Sequence, residues 1–285
     1  MSALVNKLRQ LRTESGQSPS IAAPPSKSAI SAGVLRLIQG RSRIQHGSQH
    51  ASSADRFVPG VEIAPGLHFT ETIMSWGCPS PLIETAFARW DEPVAHSRLL
   101  HFDTETTGLA GGTGTRAWMI GVANWMADGR FRLRQLTTTT MGAEVAMLRT
   151  FAEWIRPDTV LVSYNGKSYD SPLLRTRFRL ARLPDPIHGL GHLDLLHPVR
   201  RHWKGVWENC RLATAERELL GVVREDDLPG SEAPAAWLTY LRGGSALNLR
   251  RVMTHNAQDL KSLAGVLLHM ARLGATPINA VDMPQ

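Results

Sequence analysis

The sequence predicts an α/β domain, a mixed β-sheet flanked by helices, preceded by a disordered basic N-terminal arm. Three strand-like runs follow one another between residues 99 and 136. Helix-like and strand-like segments then alternate as far as residue 196. From residue 197 onward the apolar spacing is helical. Consecutive strands that pair as neighbours, followed by crossover units, give a sheet with strands in both directions.

The arm is read from composition. Residues 1–54 hold seven Lys or Arg against the single acid Glu14, which is +6 of the chain's net +7. The rest of the chain has 25 basic and 24 acidic groups, so its charge is nearly balanced. Met1 to Arg12 reads as a short basic helix with Leu4, Leu8 and Leu11 on one face. It lacks the apolar core of a secretory signal. A basic, serine-rich segment poor in acids also suits a transit peptide, the less favoured reading. Residues 13–54 are rich in Ser, Ala, Gln, Pro and Gly and have too few large apolar groups to offset ordering entropy, apart from a short helix near Val34 to Ile38. Such an arm either adds salt-sensitive phosphate contacts or simply keeps the chain soluble.

The ordered part begins near Phe57. Residues 57–94 read as a hairpin lead-in punctuated by Pro59–Gly60 and Pro65–Gly66, residues 95–275 as the main domain, and residues 276–285 as a tail. Strands are expected at Leu99 to Phe102, Trp118 to Trp125, Arg130 to Leu136, Thr159 to Tyr164 and Leu193 to Leu196. Asp128–Gly129 supplies the turn between the second and third of these. Helices are expected at Glu144 to Ile155, Ser171 to Leu180, 197–204, 211–220, 234–242 and 246–273, with Pro172 tolerated in the first turn of its helix.

Composition excludes several classes. Hydrophobic residues make up 42% and charged residues 20%, an ordinary globular mix. The two cysteines, Cys78 and Cys210, cannot make a disulfide framework or a cysteine-rich zinc site, and they fit a reducing, cytoplasmic setting. No apolar run approaches the roughly 18 residues that would cross a membrane.

The chemistry is concentrated in three short segments. In Asp103-Thr104-Glu105-Thr106-Thr107-Gly108-Leu109 the two acids are two residues apart, so an extended chain projects both carboxylates to one side. They directly follow a buried apolar run, which sets them apart from solvated loop acids. Two like charges held close favour a cation between them, and hard divalent ions such as Mg²⁺ or Mn²⁺ prefer oxygen ligands. The second segment is Val162-Ser163-Tyr164-Asn165-Gly166-Lys167-Ser168-Tyr169-Asp170, and the third is His255-Asn256-Ala257-Gln258-Asp259.

Together, in this order, the three segments resemble the motifs of the DEDD 3′–5′ exonuclease superfamily. The Gly111-Gly112-Thr113-Gly114-Thr115 insert, the Asn165–Gly166 pair and Asp226-Asp227-Leu228-Pro229-Gly230 narrow the resemblance to the YprB-type ribonuclease H-like domain, a mostly bacterial group, over residues 95–275. The resemblance implies a ribonuclease H-like fold and a nuclease acting on single-stranded DNA or RNA. It implies two divalent cations, Mg²⁺ or Mn²⁺, about 3.5–4 Å apart on Asp103, Glu105, Asp170 and Asp259. Thr104, Thr106, Gly108, Leu109, Asn165 and Tyr169 would line the substrate path. The third segment is a hybrid: His255 is the base of one subclass, and the three intervening residues before Asp259 are the spacing of the other. Positions i and i+4 share a helix face, so His255 can take the proton of an attacking water beside Asp259.

Other features carry alternatives. Gly111 to Gly114 lacks the Lys-Ser/Thr of a phosphate-binding loop, which disfavours a nucleotide-binding regulator. Asn165 either bonds near the site or makes a turn. Asp194 is a supporting acid, a helix cap or a surface acid. Trp203 and Trp207, beside Arg200, Arg201 and Lys204, suit either core packing, the favoured reading, or stacking on single strands. A structure-specific endonuclease and a docking module without turnover are the competing functional readings.

Overall fold

The computed structural model describes residues 55–77, 79–108, 114–225 and 227–275. The N-terminal arm with its expected helices, Cys78, Leu109, the Gly111–Thr113 stretch, Asp226 and the tail lie outside the described residues. In chain order the strands are β1 (Val61–Ala64), β2 (Leu67–Met74), β3 (Leu82–Ile83), β4 (Val94–Ala95), β5 (Leu99–Thr106), β6 (Ala117–Trp125), β7 (Phe131–Thr138), β8 (Val160–Ser163) and β9 (Gly191–Asp194). The helices are α1 (Glu144–Glu153), α2 (Asp170–Leu180), α3 (Leu196–Trp203), α4 (Leu212–Leu220), α5 (Ala233–Leu241) and α6 (Leu247–Ala275).

Seven strands make one sheet in the order β1-β2-β7-β6-β5-β8-β9, and β3 pairs with β4 apart from it. From β1 to β5 the neighbours are antiparallel, while β5, β8 and β9 are parallel. Two-residue periodicity divides the strand side chains between two cores. Leu99, Ala123, Trp125, Phe131, Leu133 and Val162 pack under α6. Leu100, Phe102, Ile120, Val122, Leu136 and Leu161 pack against α1 and α2. Burying each of the Val, Leu, Ile and Phe side chains among these contributes roughly 1.5–3 kcal/mol.

The structure departs from the sequence reading in local ways. The last strand ends at Asp194, two residues before the expected end, because its carboxylate accepts the Leu196 amide at 3.1 Å and turns the chain into α3. Strand β5 continues to Thr106, since β6 pairs with it through that residue, so Asp103 and Glu105 lie within the strand. The short β3–β4 ladder had no sequence signal. Trp203 and Trp207, by contrast, follow the favoured reading: their rings stack nearly parallel at 4.6 Å and pack against the α6-side core.

Helix α6 decides where the third segment sits. Its buried positions, Leu249, Val252, Met253, Asn256, Leu260, Leu263, Ala264, Leu267 and Met270, repeat every three or four residues. One member of this stripe, Asn256, is polar and fully buried. It lies over Gly121, where an added Cβ would come within 2.1 Å of Asn256 Oδ1. Gly121 stands between Asp103 on β5 and Gln135 on β7 in the strand register. Gln135 Nε2 donates to Asn256 Oδ1 at 2.9 Å, and Asn256 Nδ2 donates to Asp103 Oδ2 at 2.8 Å. Gln135 Nε2 also reaches the Met253 carbonyl at 2.8 Å, and Thr70 on β2 donates to Gln135 Oε1 at 3.3 Å. A row of polar groups across four strands thus fixes the register of α6 against β5.

Gly121→Ala is expected to lower unfolding free energy by about 1–3 kcal/mol, the cost of forcing a methyl into a packed contact. In an Asn256→Ala background the same change should cost markedly less. Denaturant midpoints of the double-mutant cycle measure the difference, and equal costs in both backgrounds would contradict the close packing of this pair.

Candidate active site

The acids of the three segments meet near the end of β5, because each is delivered by a different element. Asp103 and Glu105 point to the α6 side of the strand, as the intervening Thr104 points to the α2 side. Asp170 opens α2, in the first turn, where the helix dipole favours a carboxylate. Thr104 Oγ1 donates a short hydrogen bond to Asp170 Oδ1 and so joins the first segment to the second. Asp259 lies one turn beyond His255 on α6, with His255 Nε2 3.4 Å from Asp259 Oδ2.

The loop before Asp170 is built tightly. Asn165 has a φ of 69°, the left-handed region that Asn tolerates, and it makes the turn that the Ser168 amide closes onto its carbonyl at 3.1 Å. Asp194 is the buried brace of this loop: it accepts the amides of Asn165 at 2.7 Å and Lys167 at 3.0 Å. A Cβ at Gly166 would meet Ser163 Oγ at 2.5 Å and Asp170 Oδ2 at 3.1 Å, so glycine lets the loop pass close to both. Ser163 Oγ in turn lies 2.7 Å from His192 Nε2, and burial pushes the His192 pKa down to about 4.

A cleft of about 330 Å³ opens beside the acids. Asp103, Asp170, Thr104, Thr106, Gly108, Asn165 and Tyr169 line it. Glu105, His255 and Asp259 do not line this cleft; His255 borders a neighbouring one of about 390 Å³ together with Arg224 and Asp227.

Electrostatics bind the acids into one group. Burial, then the charges of Asp259, Asp170 and Glu105, push the Asp103 carboxyl well above the usual range, against the opposing Asn256 bond. Burial and the charges of Asp259, Asp170 and Asp227 do the same to Glu105. Burial raises Asp170 to about 6, opposed by the Thr104 bond. Asp259 is also raised by burial, with His255 and Arg224 pulling the other way.

Sequence reading missed the cation of the site. Arg224 donates a short hydrogen bond to Asp259 Oδ1, reaches Glu216 Oε2 at 2.7 Å and lies 3.3 Å from Asp227 Oδ2. Burial alone would lower its pKa, but the Asp259 and Glu216 carboxylates outweigh it and raise it. Asp227 also accepts His255 Nδ1–H at 2.7 Å, which leaves Nε2 directed at Asp259. The Arg224 Nη1 approach to the same Nδ1, at 3.1 Å, is then a contact between two donors and not a hydrogen bond. Asp227 falls in a stretch that the resemblance had singled out, without a role; Arg224 and Asn256 had no sequence signal beyond a polar residue on an apolar stripe.

An all-oxygen donor set fits a hard divalent cation, and Arg224 is a cation already drawn to it. Among the described residues, no three His, Cys, Asp or Glu groups converge closely enough to hold a metal unaided. One oxygen each of Asp103, Asp170 and Asp259 is instead engaged by Asn256, Thr104 and Arg224. Mg²⁺ typically keeps several waters and uses one or two carboxylates plus substrate phosphates, so a closed protein cage is not required.

A family model described as RNase_H superfamily matches residues 100–271. A curated relative, the Uncharacterized protein YprB of Bacillus subtilis (strain 168), is 38% identical over 181 residues, covering 62% of this chain and 42% of that protein. The chain therefore spans less than half the length of that relative. Among solved structures, the family B DNA polymerase from the hyperthermophilic archaeon Pyrobaculum calidifontis is 18% identical at a TM-score of 0.47, over 62% of this chain and 27% of that one. A structure of exonuclease I is 16% identical at a TM-score of 0.37, over 55% and 43% of the two chains. Among the described residues, no helix is long and apolar enough to cross a membrane.

The raised carboxyls set a pH dependence. In the folded chain these groups hold protons that the unfolded chain releases, so without divalent ions their own contribution to stability is fully present at low pH and is lost as pH rises through the folded values. For Asp170 the rise from 3.8 to about 6 corresponds to about 3 kcal/mol at ~1.36 kcal/mol per pH unit. In EDTA, the stability lead of Asp170→Asn over the unsubstituted chain should therefore grow between about pH 4 and pH 6 and level off above. Thermal melts across that window measure it; a constant difference would contradict a buried, charge-crowded Asp170.

Proposed function

The chain belongs to the RNase_H superfamily, and from that premise we propose that it is a metal-dependent nuclease of the DEDD type. Its substrate is single-stranded nucleic acid, shortened from the 3′ end. RNase H-like nucleases generally use divalent metal ions. The observation that carries the reading is the gathering of four acids from three distant segments, each raised by burial and two of them, Asp103 and Glu105, also by the charge of the others, with Asp103 and Asp170 lining an open cleft.

In this reading Asp103, Glu105, Asp170 and Asp259 hold Mg²⁺ or Mn²⁺. The ions would acidify a bound water and neutralise charge on the phosphate. The protein's own groups do the rest. His255 accepts the proton of the attacking water at Nε2, while Asp227 keeps the ring in that tautomer and stabilises the imidazolium that forms. Thr104 holds Asp170, and Asn256 holds Asp103, so both carboxylates keep fixed directions. Thr106, Gly108, Asn165 and Tyr169 line the path of the terminal nucleotide, and the exposed Tyr169 ring offers a stacking face.

One observation favours a second reading. Arg224 neutralises Asp259 from within the chain, which suits a docking module with little or no turnover. The two readings separate on a time course with 5′-labelled single-stranded DNA and RNA in Mn²⁺, Mg²⁺ or EDTA. The nuclease reading expects a metal-dependent ladder shortening from the 3′ end that Asp103→Ala abolishes. Internal cuts would make the enzyme an endonuclease, and salt-sensitive binding without cleavage would favour the docking module. Asp227→Asn should slow cleavage by about 10²- to 10⁴-fold, as expected when a general base is misdirected. A rate and pH profile unchanged by Asp227→Asn would remove the Asp227–His255 pair from the mechanism.

A further inference from the structure

The opposite end of the sheet from the acids carries a second polar site. A half-open cavity of about 60 Å³ lies where β5 begins, β6 ends and α1 gives way to β8. Arg98, Asn124, Arg132, Arg134, Trp154 and Arg156 line it. It exceeds the roughly 10–15 Å³ that one water needs.

Arg134 is the unusual member. It is 7% exposed, and its guanidinium lies over the Trp154 ring at 4.2 Å. Its buried Nε–H has no acceptor among the described residues. Its Nη2 reaches only the far limit of a hydrogen bond, 3.5 Å, to Asn124 Oδ1. Arg132 approaches that same amide oxygen through Nε and Nη2, both at 3.4 Å. Two guanidiniums thus share one neutral acceptor. The acids nearby do not balance them. Asp158 is taken up by Arg98 and Arg156 at the exposed rim. Glu71 faces Arg134 across the β2–β7 pair but is itself exposed. Burial and the Arg132 charge, opposed by Glu71, lower the Arg134 pKa to about 10. A buried, incompletely paired cation is expensive, and native structures rarely keep one without a counterion.

We propose that this cavity binds a phosphate-type oxyanion between Arg132 and Arg134, with Arg98 and Arg156 at its mouth. Planar guanidinium forks match tetrahedral oxyanions in geometry and charge. The anion comes either from a nucleic-acid backbone, as a contact remote from the acids, or from free inorganic phosphate. The site does not depend on the nuclease reading, because none of its residues belongs to the acid cluster.

The test uses the full chain in EDTA, where cleavage is suppressed, with inorganic phosphate and a labelled single-stranded oligonucleotide as probes at matched ionic strength. Two variants bracket the site. Arg132→Gln removes a donor that is only partly buried. Asn124→Asp supplies the missing anion from within, so it should melt higher than the unsubstituted chain without phosphate. Phosphate should raise the melting temperature of the unsubstituted chain and leave both variants unmoved. Oligonucleotide affinity falling about tenfold in both variants identifies a backbone phosphate as the occupant, that being the usual loss of one charge-assisted contact. Unchanged oligonucleotide affinity with loss of the phosphate response identifies free phosphate. Melting of the unsubstituted chain indifferent to phosphate, together with unchanged oligonucleotide affinity in both variants, would overturn the proposal. A failure to cleave any substrate would leave it standing.

Discussion

The Asn256 side chain donates to Asp103 and accepts from Gln135, and it can do so only because position 121 has no side chain. A buried amide left unmatched would cost about 1–3 kcal/mol, so this contact does more than add stability. It fixes the rotation and register of a 29-residue helix against the sheet. His255 and Asp259 flank Asn256 on that helix and inherit their positions from it. Shifting α6 by one residue would turn both away from β5, and the apolar stripe from Leu249 to Met270 would leave the core with them.

That geometry sets up an electrostatic problem. The sheet and two helices bring four carboxylates into a region where burial already disfavours charge. The protein answers in part with neutral donors, Thr104 and Asn256, and in part with Arg224 on Asp259. Arg224 is itself held among Glu216, Asp227 and Asp259, so it links the acid cluster to the partner of His255. Among the described residues no arginine opposes the raising of Asp103 and Glu105, and both carboxyls lie well above their ordinary values. An external cation would be drawn there.

Much of this was legible in the sequence, for physical reasons. Elements such as Val160–Ser163 and Leu247–Ala275 announce themselves by local patterns, β-branching in one and three-to-four-residue spacing in the other. The acids were legible because each sits in a short segment beside such an element. Asn256, Gly121 and Gln135 were not, since they act through contacts between residues more than a hundred positions apart and have no shared local pattern. Arg224 and Asp227 lie in an irregular segment whose periodicity says nothing, and the reading of residues 221–230 gave them no role. Asp194 shows an intermediate case. The sequence placed it near a strand and left it as a supporting acid, a helix cap or a surface acid; only the fold reveals that it braces the Asn165–Lys167 loop.

The central claim is that the acids form one cation site assembled by α6. Titration of the full chain with Mn²⁺, followed by the paramagnetic signal of the free ion, tests this most directly. The account predicts saturable Mn²⁺ binding that Asp103→Ala abolishes and that Asn256→Ala, which touches no ion, weakens by loosening Asp103. Binding of equal affinity in the unsubstituted chain and Asp103→Ala would contradict it.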